Sequence, residues 1–354
     1  MADKTKIEWT DATWNPITGC EIVSAGCTNC YAMKLAGTRL KDHPSRAGLT
    51  KPSKAGPVWN GEVRFNEQWL DQPLRWQKPM MIFVCAHGDL FYEAVPTEWI
   101  DRVFGIMALA TDHTFQVLTK RPERMRAYLA DPLAQGRIAK AAMDAAPVGR
   151  NIGDAALMVV PTSEHPYQFG EDRWPLPNVW LGVSTEDQKA ANKRIPPLLL
   201  TPAAIHFASY EPAIGAVDYT RICVAVEHGR GRYFDALDHD EADEYEGPPE
   251  NYAALNWVIA GGESQPGSRP ADPEWFRQVR RACNEAGVSF LFKQWGDWLP
   301  LGEATSLLNP EGRPGLQWDI QHVGGYLPMA RVGKKAAGRL LDGRTHDEFP
   351  GRAA

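Results

Sequence analysis

Met80-Met81-Ile82-Phe83-Val84-Cys85, running on through Ala86-His87-Gly88-Asp89-Leu90-Phe91 to Pro96-Thr97-Glu98, is the stretch that decides the fold. Consecutive apolar residues without alternation describe a strand buried on both faces. A polar, glycine-containing turn ends it. Pro96-Thr97-Glu98 then opens a helix with Trp99, Ile100, Val103, Phe104, Met107 and Ala108 along one face. A buried strand followed by an amphipathic helix is a βα unit, and such units pair in parallel.

The same pattern recurs outward from this stretch. Thr114–Thr119 is followed by Lys120-Arg121 and a helix from Pro122 to Leu129. Val179–Val183 leads into Ser184-Thr185-Glu186-Asp187, a favourable helix start. Ala204–Ala208 ends in Ser209-Tyr210-Glu211-Pro212, and Trp257–Ala260 ends in Gly261-Gly262-Glu263-Ser264. After a helix around Pro273–Ala286, Val288–Phe292 ends in Lys293-Gln294-Trp295-Gly296. With Thr13–Thr18 as a first strand there are about seven units, which predicts an α/β fold. The expected architecture is a complete or partial (β/α) TIM-like barrel over residues 1–300. No G-x-G-x-x-G turn follows the early strands, which weighs against a dinucleotide-binding sheet.

In a βα barrel the C-terminal ends of the strands carry the chemistry. Asp89, Lys120, Arg121, Ser184, Glu186, Ser209, Glu211, Glu263, Lys293 and Gln294 all fall there. Helix capping is the competing role, and for Ser184, Thr185 and Asp187 it is the favoured one. Two insertions interrupt the pattern. Residues 131–176 are expected to carry a short helix of their own. Residues 229–252 hold an acidic run, Asp235 to Glu246, read as a solvated excursion. Residues 301–354 form a C-terminal extension that is basic between Arg331 and Arg344.

The 354 residues carry a net charge of −6 and are 44% hydrophobic, the profile of a soluble globular protein rather than a globally basic nucleic-acid binder. The opening MADKTKIEWTDATW has no apolar signal-peptide core, and no run approaches the roughly 20 apolar residues that span a bilayer. A cytoplasmic protein without a membrane partner is therefore expected.

Cys20, Cys27 and Cys30 form a C-x6-C-x2-C run with no fourth cysteine nearby. In a reducing compartment, clustered cysteines bind metal more often than they form disulfides. A structural zinc site would take His43 or His87 as a fourth ligand. A redox dithiol at Cys27 and Cys30 would leave Cys20 unexplained. An iron–sulfur cluster on three thiolates would leave one iron open, which suits catalysis better than electron storage.

A three-cysteine loop after the first strand of a βα barrel resembles the radical S-adenosylmethionine superfamily. That superfamily's commonest spacing is C-x3-C-x2-C, and here Asn29 stands where an aromatic usually precedes the third cysteine. A resemblance over nearly the whole chain is carried by TWNPITGC, GCTNCYA, GDLF, LTKRPERM, LGVSTEDQ, SYEP, WVIAGGESQPGSRP, FLFKQWG and KKAAGRLLDGRTHDEFP. These motifs, in order, look like a phage- and prophage-associated family of uncharacterised function, regarded as radical-SAM-like.

The resemblance implies that Cys20, Cys27 and Cys30 ligate a 4Fe–4S cluster. S-adenosyl-L-methionine would chelate the fourth iron, and its reductive cleavage would give a 5′-deoxyadenosyl radical. Asp89, Glu211 and Glu263 are candidates for the cationic parts of that cofactor, Lys120, Arg121, Arg269 and Lys293 for its carboxylate, and Ser184 is a further cofactor-binding candidate. Tyr31, Phe91 and Trp295 are candidates for an adenine wall, against a competing role in the core. The expected activity is radical modification or repair of a nucleic acid or nucleotide, with an external electron donor. A small-molecule or peptide substrate is one alternative. A non-catalytic binding protein stapled by zinc is another.

Overall fold

The computed structural model describes residues 5–146, 169, 173–227, 230–238, 252–312, 317–324 and 327–351. Seven parallel strands form its main sheet: β1 (Ala12–Trp14), β2 (Met81–Val84), β3 (Thr114–Thr119), β4 (Val179–Ser184), β5 (Ile205–Tyr210), β6 (Trp257–Gly261) and β7 (Ser289–Gln294). Their order in the sheet follows the chain, β1 through β7. The α/β class read from the sequence is the one adopted, and a seven-stranded parallel sheet is compatible with a partial TIM-like barrel. Among the described residues no ladder joins β7 to β1, so the complete barrel is not formed.

The expected first strand, Thr13–Thr18, is broken. Only Ala12–Trp14 pairs with β2, whereas Ile17–Thr18 turns away to pair antiparallel with Arg64–Phe65. Pro16 lies at the break. It has no N–H to donate to a ladder, and its carbonyl accepts instead from Asn66 N at 2.7 Å.

The chain divides into two compact units. The first comprises Met1–Val23, Tyr31–Val183 and Pro197–His206. In it β2 is buried along its length, as its unalternating sequence requires. Helix α1 spans Tyr31–Gly37. Helix α2 (Thr97–Leu109) buries Ile100, Val103, Phe104 and Met107, the face read from its spacing. Helix α3 (Pro122–Leu129) follows β3. The first insertion carries helix α4 (Ala134–Ala145), and the rest of it lies largely outside the described residues. Helix α4 packs hard on α2: a Cβ on Gly105 would stand 2.8 Å from Ala142 N, so only glycine fits.

The second unit comprises Ser24–Cys30, Ser184–Pro196 and Phe207–Ala354. Helix α5 (Gln188–Leu199) begins under an Asp187 cap, whose Oδ1 accepts from Ala190 N at 2.7 Å. Ser184 ends β4 and Thr185 bonds Tyr219 Oη, so of the three residues read as caps only Asp187 is placed as one. In the second insertion Arg230–Phe234 pairs antiparallel with Ile222–Glu227, while most of the acidic run lies outside the described residues.

Helix α6 (Pro273–Glu285) precedes β7. Beyond β7, Trp298–Pro300, Asp319–Val323 and Leu327–Arg331 make a three-stranded antiparallel sheet. The chain then returns to the main sheet. Phe292 N donates to the His346 carbonyl at 3.0 Å, and Trp257 Nε1 to the Glu348 carbonyl at 2.9 Å. No helix among the described residues is long and apolar enough to cross a membrane.

Candidate functional site

The six cysteines fall into two kinds. Cys85 and Cys283 are buried; burial pushes the Cys85 thiol up to about 12 and raises that of Cys283 as well. Such thiols stay protonated and inert. Cys20, Cys27 and Cys30 are partly exposed, as is Cys223.

In the first unit, Cys20 lies beside a buried cation. Arg121 Nη1 approaches its Sγ at 3.6 Å and pairs with Asp89 Oδ2 at 3.0 Å. Arg121 Nε reaches Glu93 at 2.7 Å, and Nη2 reaches the Glu21 carbonyl at 3.2 Å. Burial works against this guanidinium's charge, but Asp89, Cys20 and Glu93 outweigh it and hold its pKa above the ordinary range. Asp89 is equally committed. Its carboxylate also accepts from Thr119 Oγ1 at 2.7 Å, Lys120 N at 3.1 Å and Phe91 N at 3.0 Å. These two residues form a closed support at the ends of β2 and β3. The Lys120 side chain is partly exposed there.

In the second unit, the turn that carries Cys27 and Cys30 is tied down at three points. Ser24 Oγ donates to Glu186 Oε1. Arg269 Nη2 donates to the Ala25 carbonyl at 3.1 Å, and Asn29 Nδ2 to the Gly267 carbonyl at 2.8 Å. Glu186 is held in turn by Arg194 at 2.6 Å, with both side chains at most 5% exposed. Gly26 lies against this carboxylate, where an added Cβ would come 2.9 Å from Glu186 Cδ. Glu263 binds Arg269 through both oxygens, at 2.9 and 2.6 Å. It acts as an anchor for the arginine that reaches Ala25.

A third polar group, also in the second unit, joins the ends of β5 and β7. Lys293 Nζ donates to Glu211 Oε1 at 2.7 Å and to Oε2 at 2.9 Å. Ser184 is buried, and its carbonyl accepts from Arg194 at 2.8 Å.

The aromatic candidates separate cleanly. Phe91 and Trp295 are core residues: Phe91 packs on Phe104 and Tyr128, and Trp295 on Phe276 and Phe292. Tyr31 is 39% exposed, with its hydroxyl on the Ala86 carbonyl at 2.6 Å. His87 is pulled down to about 3 by burial and by Arg46, whose Nε donates to its Nδ1 at 3.3 Å.

A family model described as "Protein of unknown function (DUF5131)" matches residues 4–350. The chain belongs to this family. No curated protein and no solved structure matches it.

This DUF5131 chain uses residues that its sequence did not single out as supports. Ser24, Arg194 and Asn29 are the main ones. Glu186 lies just before α5 and Arg194 within it, eight residues on, a short spacing that could have marked this pair. Among the described residues, no group of three or more His, Cys, Asp or Glu side chains is arranged to hold a metal ion. The donor chemistry of the run nevertheless suits a soft metal: three partly exposed thiols within eleven residues, one of them beside a guanidinium that favours an anionic sulfur.

Proposed function

We propose that the chain is an iron–sulfur radical enzyme using S-adenosylmethionine, with a nucleic acid or nucleotide as substrate. The observation that carries the proposal is that all three clustered thiols are accessible, whereas Cys85 and Cys283 are sealed in the core; Cys223 is accessible too but stands apart from the run in sequence. A 4Fe–4S cluster on three thiolates would supply one-electron reductive cleavage of a sulfonium. Cys20, Cys27 and Cys30 would hold it.

The protein's own contribution is to hold and charge-balance the run. Arg121 offsets the negative charge of Cys20, with Asp89 keeping the guanidinium in place. Glu186 and Arg269 restrain the turn before Cys27. Asp89, Arg121 and Glu263 thereby act as supports of the cysteine run. A nucleic-acid partner would meet Lys334, Lys335 and Arg344, which are exposed.

Anaerobic reconstitution with iron and sulfide tests the reading. The expected product is a brown protein with about four irons per chain, whose visible absorbance is lost in Cys27→Ala. A colourless chain holding one zinc would overturn it. With reductant and S-adenosylmethionine, the reconstituted protein should release a cofactor cleavage product. Binding to DNA or RNA should weaken with salt, with a logarithmic slope of about −0.9 for each phosphate that a basic side chain meets.

A further inference from the structure

The group formed by Glu211, Lys293 and Gln294 takes no part in supporting the cysteine run. It stands at the C-terminal ends of β5 and β7, the edge of a parallel sheet where ligands bind. Lys293 bonds both oxygens of Glu211, at 2.7 and 2.9 Å, and Gln294 Nε2 donates to Oε1 at 3.3 Å. The Lys293 and Glu211 side chains keep 14% and 17% of their surface exposed, so the pair is reachable from outside. Gln294 is only 4% exposed, and its Oε1 has no hydrogen-bond partner among the described residues.

The arrangement is built by a backbone irregularity. Consecutive residues of a regular strand point to opposite faces, yet Lys293 and Gln294 both reach one carboxylate. Ala260 pairs with Phe292 and the next residue, Gly261, pairs with Gln294, so Lys293 is an extra residue on β7. Such a bulge is uncommon in a parallel pair and re-aims a side chain. Gly261 leaves the neighbouring flank uncovered; a Cβ there would lie 3.5 Å from Glu211 Oε1.

We propose that this cluster binds an α-amino acid through its ammonium and carboxylate groups. Charge balance selects the ligand. An anion alone would draw Lys293 away and leave Glu211 unpaired; a cation alone would do the reverse. Either leaves an uncompensated charge in a largely buried place, which is strongly unfavourable. A zwitterion satisfies both: its carboxylate takes Lys293 Nζ, and its ammonium takes Glu211. The ammonium has three N–H donors, so one remains for Gln294 Oε1, the acceptor that has no partner. A neutral ligand would leave the ion pair shut and gain only that last bond.

The reading does not depend on the cysteine run, and the test uses the full chain without added metal. The common free α-amino acids are titrated by calorimetry into the millimolar range, alongside their N-acetyl and methyl-ester forms. Saturable binding of at least one free amino acid is expected, weakened about tenfold or more by either modification, as for loss of one charge-assisted hydrogen bond. Lys293→Gln should weaken binding of the free amino acid and remove the penalty of esterification. Gln294→Met, close in volume, should weaken binding of the ammonium form while leaving the fold intact by thermal unfolding. If no free amino acid binds, or if blocked forms bind as well as free ones, the proposal is overturned. The comparison of free with blocked ligands in the unaltered chain decides the matter even if a variant fails to fold. Cluster formation is measured separately, so failure of one reading is distinguishable from failure of the other.

Discussion

His87 has a ring that burial keeps neutral, with a pKa lowered from 6.5 to about 3, and Arg46 adds to the effect. The consequence is a pH dependence of known sign. Below about pH 6.5 the unfolded chain takes up a proton at this ring that the folded chain refuses, so stability falls as pH falls until about pH 3. The slope expected is about 1.4 kcal/mol per pH unit. Urea unfolding between pH 7 and 4 should therefore show a shallower loss for His87→Gln than for the natural chain. At this scale the sequence was only partly legible. Asp89, Arg121, Glu263 and the three cysteines could be picked out because they abut apolar strands or recur at short spacing. Ser24 could not, because its partner Glu186 lies 162 residues away and nothing local marks the pair.

Helix α6 shows why whole elements were more legible than their contacts. Asp272 accepts from Glu274 N at 2.9 Å, Pro273 occupies the first turn, and Phe276, Val279 and Cys283 face inward. Cap, proline and apolar spacing agree, so the helix is written into adjacent residues. Asp272→Ala should lower stability by about 1 kcal/mol in denaturant unfolding, with the slope against denaturant unchanged. The strands were legible for the same reason, since β2 and β6 are unbroken apolar runs buried on both faces. The small antiparallel pairs were not. Ile17–Thr18 and Arg64–Phe65 are two residues each, too short for any period to show. The bulge on β7 is equally silent, because it depends on pairing with β6 and not on the composition of either strand.

At the scale of the whole molecule, the succession of seven parallel strands was legible because the buried strands repeat one pattern. The path of the last residues was not. Residues after Gly338 carry buried Leu341 and His346, and they place Phe349 against Trp257 at 5.1 Å between ring centroids. Glu348 Oε2 accepts from Phe290 N at 2.9 Å, and the Leu340 carbonyl accepts from Trp295 Nε1 at 2.7 Å. The segment is therefore part of the second unit's core. Removing residues 338–354 should cost more than about 3 kcal/mol from lost apolar burial and orphaned donors. Limited proteolysis should then cut within residues 252–337, whereas the full chain should resist.

The bulge at Lys293 makes position along the strand, more than side-chain type, the carrier of information on that edge of the sheet. Deleting one residue from β7 ahead of Lys293 would restore even parity and turn the ammonium toward the opposite face, with composition almost unchanged. A substitution changes what stands at an address; a deletion changes the address itself. Libraries of point substitutions leave this kind of failure unsampled, and single-residue deletions along β7 would reach it directly.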